Sequence, residues 1–226
     1  MMRPVLFLVL CVAYVTAERV CLNDVFQWKR STDFFVIKGD KPGFDESEEY
    51  FDRPGRQYRY REIVREAGGK SVFNDVIIKA KERKMWTITG KQGGGSVNCT
   101  VATSRMPDPY PCTLSNATRR GSVTVAGNIV TNVFFEDRSF RKGAMEYEEL
   151  LITADVAAPV ARRAFFENAG EVSEFYFDYS TTLPPDAFVV PGICPQSEPT
   201  EVVDEEEMKR RYPGVAHMFG LYGMNS

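Results

Sequence analysis

EEYFDRPGRQYRYREIV, Glu48 to Val64, decides the fold. Pro54-Gly55 supplies turn chemistry between two runs rich in aromatic and charged residues, and the segment reads as a β-hairpin. Side chains alternate across a strand, so Tyr58 and Tyr60 fall on one face and Arg59 and Arg61 on the other. Working outward, the same texture continues. VFNDVIIKA (Val72 to Ala80), MWTITG (Met85 to Gly90), SVNCTVA (Ser96 to Ala102) and GSVTVAG (Gly121 to Gly127) are short β-branched runs. NIVTNVFFED, EELLITADV, VARRAFFEN and EVSEFYFDY carry the series to Tyr179. Gly68-Gly69, Gly93-Gly94-Gly95 and Gly127-Asn128 punctuate it. Evenly spaced short strands predict antiparallel sheets, packed as a sandwich or a partly closed barrel. Helical patterning is confined to TEVVDEEEMKRRY, Thr200 to Tyr212, with acids early, bases late, Pro199 before it and Pro213-Gly214 after it. The closing HMFGLYGMNS is apolar enough to dock on the domain or on a partner.

At the other end, MMRPVLFLVLCVAYVTA has one positive charge, Arg3, then an apolar run to Val15. Val15 and Ala17 are small residues at the positions a signal peptidase reads, which predicts cleavage between Ala17 and Glu18. The run is too short to span a bilayer. Removing 17 of 226 residues leaves 209, a size for one domain with a full core, and a net charge of −4. The expected organisation is a signal peptide (1–17), a β domain (18–197) and a C-terminal helix or tail (198–226). A mildly acidic chain has no electrostatic reason to seek nucleic acid, and no later stretch predicts a transmembrane segment. With Cys11 in the signal peptide, Cys21, Cys99, Cys112 and Cys194 remain, which allows three disulfide pairings. Asn98-Cys99-Thr100 and Asn116-Ala117-Thr118 are glycosylation sequons.

Catalytic chemistry has little to stand on. His217 is the only histidine, in the C-terminal tail, and no G-x-S-x-G nucleophile motif accompanies it. The wide cysteine spacing does not describe a zinc site. Calcium is a possible cofactor of the acidic stretches Asp40 to Glu49 and Asp204 to Glu207, although neither has EF-hand spacing. The aromatic content is the more informative signal, with 16 Phe, 10 Tyr and 2 Trp. A well-packed core accounts for many of them. A curved sheet lined by Tyr58, Tyr60, Val76, Ile78, Trp86, Ile88, Phe135, Phe175 and Phe177 would form a pocket for an apolar ligand.

Four features together resemble the ependymin-related proteins, across nearly all of the mature sequence. They are Cys21 with Trp28 soon after it; YFDRPGRQYRYRE (Tyr50 to Glu62); Cys99-Thr100 before a Pro-rich stretch; and FDYSTTLPPDAFVVPGIC (Phe177 to Cys194). The resemblance implies two antiparallel sheets curved into a half-open barrel like that of bacterial lipoprotein carriers, with one or two peripheral helices. It implies a secreted glycoprotein whose apolar pocket suits a lipid or fatty-acyl chain. It also implies association with extracellular matrix, cell adhesion and calcium, and a possible homodimer. By the same resemblance Cys99 pairs with Cys194. The family's usual partner for the first cysteine falls in a strand matching residues 150–160, where this chain has none, which leaves Cys112 for Cys21.

Overall fold

The computed structural model describes residues 18–35, 43–65, 71–91, 94–106, 112–137, 145–166, 170–212 and 215. The expected signal peptide (1–17), Asp40, Gly68-Gly69 and His217 lie outside them. The opening hairpin is β3 (Gly43–Asp52) and β4 (Gln57–Arg65). Its turn is built by Asp52, whose carboxylate accepts from the Gly55 N–H at 2.8 Å, and by Arg56, which takes a left-handed φ of 55°. The same four-residue loop recurs between β5 (Ser71–Lys79) and β6 (Lys84–Lys91), with Arg83 at φ 53°. The Ala80 N–H donates to the Arg56 carbonyl and ties the two loops together.

The remaining strands are β1 (Glu18–Cys21), β2 (Val25–Phe35), β7 (Asn98–Ser104), β8 (Cys112–Val125), β9 (Ile129–Asp137), β10 (Met145–Thr153), β11 (Pro159–Phe166), β12 (Gly170–Ser180) and β13 (Val202–Val203). They hydrogen-bond in the order β1-β8-β9-β10-β11-β12-β2-β3-β4-β5-β6-β7-β13. Every neighbour is antiparallel except β13 beside β7. The mostly-β, half-open architecture is as expected, but the two expected sheets are one continuous, curved, unclosed sheet. The chain returns from β12 to the N-terminal β2, and that long-range pairing fuses the two halves.

Register defines two faces. The row through Phe26, Trp28, Phe51, Tyr58, Tyr60, Val76, Ile78 and Met85 continues through Glu174, Arg162, Leu150 and Phe134. This inner face is buried for most of its length, although the only described elements beyond the sheet ladder are a short helix and loops. A sheet this long buries one face by curling over it.

Helix α1 (Glu205–Arg211) is shorter than the Thr200–Tyr212 expectation, because Val202 and Val203 are drawn into a ladder with Thr103 and Ser104 on the open edge of β7. Asp204 caps it, accepting from the Glu207 N–H at 3.0 Å.

On the outer face, residues 181–199 cross β4–β7. Cys194 bonds Cys99 across 95 residues of sequence and packs with Ile77, Trp86 and Ile88. Arg59 donates to the Ala187 carbonyl and the Trp86 indole to the Pro195 carbonyl. Ile77 is fully buried there, and Ile77→Ala is expected to lower stability by about 2–5 kcal/mol, read as a lower urea midpoint at unchanged m-value.

Candidate functional site

The inner face divides into two chemically distinct halves. On β2–β6 it is aromatic. Phe26 stacks on Phe51 at 4.5 Å and lies 4.6 Å from Trp28, Phe51 meets Tyr58 edge-on at 5.8 Å, and Trp28 meets Tyr176 edge-on at 5.1 Å. Val76, Ile78, Met85 and Ala102 extend this patch toward the β7 edge. Tyr179 joins it through a bulge. Phe177 is opposite Lys29 but Ser180 is opposite Gln27, with Asp178 at φ 54°, and the extra residue turns Tyr179 onto Phe26.

Beside it, across β2, β3 and β10–β12, runs a buried ladder of charge. Arg30 holds Glu49 at 3.0 Å and Glu174 at 3.1 Å, and Arg162 holds Glu174 at 3.0 Å and Glu148 at 2.6 Å. Ser47 and the Tyr176 hydroxyl donate to Glu49 and Glu174 respectively. Buried charges persist only when paired in this way. Burial pushes the Glu49 carboxyl up against the opposing pull of Arg30, and Glu62 and Asp45 nearby are raised, again chiefly by burial.

A carboxyl raised by folding binds its proton more tightly in the native state than in the unfolded chain. The stability it contributes is therefore present below the unfolded value, near 4.5 for Glu, and is lost as pH rises through the folded one. Glu49→Gln is expected to flatten that decline, as measured by denaturant titrations at half-unit steps from pH 4 upward. An unchanged slope would mean that Glu49 does not titrate in that window.

The nine residues expected to line one pocket do not share a face. Tyr58, Tyr60, Val76 and Ile78 are together on the inner face, fully buried. Trp86 and Ile88 are not with them. Ile77 is opposite Trp86 and Val76 opposite Thr87, so Trp86 and Ile88 face outward under the Cys194 segment. Phe175 and Phe177 are also on the outer face, 52% and 44% exposed. Phe135 faces outward too, stacked at 5.9 Å on Tyr147, which itself stacks on Phe165 at 5.6 Å. The alternation inside each strand is legible, but the phase between strands is set by pairing. That phase selects Phe26, Trp28, Phe51, Met85 and the Arg30 ladder, which the expectation omitted. VFQWKR in β2 already carried the signal, with Phe26, Trp28 and Arg30 at alternate positions.

The other expected sites fall as follows. Cys99 is bonded to Cys194; Cys21 is disulfide-bonded and stands opposite Cys112 in the β1–β8 register. Asn98 and Asn116 are exposed. In the acidic β3 stretch, Asp45 and Glu49 face inward while Glu46 and Glu48 face outward, and among the described residues no three acidic, His or Cys side chains gather in a way that could hold a metal ion. Among the described residues no helix is long and apolar enough to cross a membrane.

No family model matches the chain, and no curated protein matches it. Solved structures do. A LolA superfamily protein from Nitrosomonas europaea is 10% identical, with 78% of this chain and 93% of that one covered, at a TM-score of 0.28. The Pseudomonas aeruginosa MucA/MucB complex gives 12% identity, 76% and 57% coverage and a TM-score of 0.37. A DUF1329 family protein from Desulfovibrio piger gives 7%, 73% and 89%, and 0.30. These scores are low, and the functional reading stands on this chain's own side chains.

Proposed function

We propose that this protein is a non-catalytic carrier that takes a hydrophobic ligand, a lipid or fatty-acyl chain, against the aromatic half of its inner face. One observation carries the reading. Five adjacent strands bring Phe26, Trp28, Phe51, Tyr58, Tyr60, Val76, Ile78 and Met85 into one continuous apolar surface, and the layer over it includes a C-terminal segment attached without a covalent bond of its own. Binding is burial of apolar area, worth about 25 cal/mol per Å2, with no bond made or broken. The ion-paired ladder beside the patch has its carboxylates neutralised by Arg30 and Arg162, which suits a positioning role rather than acid–base work. Secretion, glycosylation and membership of the ependymin-related proteins belong to the same reading; its support is the leader-like N-terminus, the two sequons and the four sequence features. Native mass spectrometry of the secreted, deglycosylated protein tests it. A stoichiometric lipid that leaves on denaturation is the expected result; an apo mass unchanged after incubation with a lipid panel would sink the carrier.

A second reading, matrix or adhesive function through self-association, is favoured by the outer face of β9–β12. Val133, Leu151, Ala161 and Phe175 form one row across the strands there, with Phe177 beside it. Phe175 and Phe177 are exposed and the other three half-buried, and apolar surface gathered in this way suits a contact surface. Sedimentation at rising concentration is expected to show a dimer that Phe175→Asp dissociates. A monomer throughout removes this support.

A further inference from the structure

The aromatic patch is closed by the chain itself. Val203, Met208 and Val215 are at most 1% exposed and belong to the same cluster as Phe26, Tyr58, Ile78 and Met85. They reach the inner face by rounding the β7 edge, after the chain has been fixed on the outer face by Cys99–Cys194. Beyond that disulfide the described polar attachments to the sheet are slight. The Trp86 indole donates to the Pro195 carbonyl, Thr103 and Arg105 donate to the Glu201 and Val203 carbonyls, Thr87 Oγ1 donates to the Tyr212 hydroxyl at 3.3 Å, and Lys84 pairs with Glu198, whose side chain is 89% exposed.

The segment's own charges are arranged to travel with it. Arg210 pairs with Glu207 and Arg211 with both Glu201 and Glu207, inside the segment, and Lys209 reaches Glu206. Its grip is therefore mainly apolar: three aliphatic or thioether side chains on an aromatic surface. That is the same chemistry a fatty-acyl chain offers, so the two can compete for one surface.

We propose that β13 and α1 are a displaceable plug that occupies the acyl site of the unloaded protein and is released by ligand while the disulfide keeps it tethered. The proposal rests on the carrier reading and adds its regulation. A closed plug lowers the apparent affinity by the fraction of molecules open, so loosening the plug tightens binding.

The test uses dansyl-undecanoic acid as the fluorescent probe on three proteins: the full mature chain, a chain ending at Pro199, and Met208→Glu. The two altered chains are expected to bind at least about tenfold more tightly than the full chain. In the full chain, saturating probe is expected to raise amide exchange across Glu205–Arg211 about tenfold or more. Equal affinity in all three, with α1 protection unchanged by probe, overturns the plug and leaves the carrier standing. No probe bound by any of them overturns both. Should the shortened chain fail to fold, amide exchange in the full chain decides alone.

Discussion

Arg30→Ala is expected to be the most damaging single substitution in the inner face, lowering stability by about 3–5 kcal/mol. The reason is what it leaves behind. Glu49 and Glu174 are both buried and both held by the Arg30 guanidinium, so removing it strands Glu49 where water does not reach and takes one of two cations from Glu174. Arg162 still pairs with Glu174, but among the described residues Glu49 has no second ion pair. The double variant Arg30→Ala, Glu49→Gln is therefore expected to recover part of the loss, because it removes the stranded charge together with its partner. Urea midpoints for the two singles and the double give the coupling between the pair. Were Arg30→Ala to cost less than about 1 kcal/mol, in the range of surface pairs, the ladder would not be the dry interior described here.

The disulfide is expected to matter about as much. Chain-entropy arguments give roughly 4–5 kcal/mol for closing a loop of this length. Cys99→Ser with Cys194→Ser is thus expected to lower the midpoint of thermal unfolding by many degrees. It should do so in a characteristic way. Cys194 anchors the segment that covers Ile77, Trp86 and Ile88, so its release exposes one outer patch while the inner face stays intact. Tryptophan emission is expected to shift to the red with the sheet's circular dichroism retained, since Trp86 is uncovered and Trp28 is not. A variant that loses all structure at once would show that the outer segment and the sheet are a single cooperative unit.

The two effects are independent in origin. One comes from desolvated charge inside the curl of the sheet, the other from a cross-link over its outer surface. The plug sits between them, covalently fixed at Cys194 and held beyond it by apolar contact. That arrangement lets the inner surface open without loss of the sheet: β13 pairs only with the β7 edge, Met208 of α1 packs on the patch through side chains, and the strands that carry the patch pair with one another.

Much of this protein is local and was legible. The Pro54-Gly55 turn, the alternation along β4, β5 and β6, and the acidic-to-basic gradient of α1 depend on neighbours in sequence, and residue chemistry predicts them. So does the division of each strand into two faces. The Cys99–Cys194 bridge came instead through resemblance, since spacing leaves three pairings open. Which face of one strand joins which face of the next is not local. It depends on a register that a single residue inverts, and so Trp86 and Ile88 stand behind Val76 and Ile78 while Phe175 and Phe177 look outward. The bulge at Asp178 that turns Tyr179 inward carries no composition signal. The Arg30–Glu174–Arg162 ladder brings together residues up to 144 positions apart, and only closure of β12 onto β2 makes their charges neighbours. Sequence by itself determined that this chain is a set of amphipathic strands; the long-range pairing of those strands decided which side chains face the interior, because burial is a property of the assembled sheet.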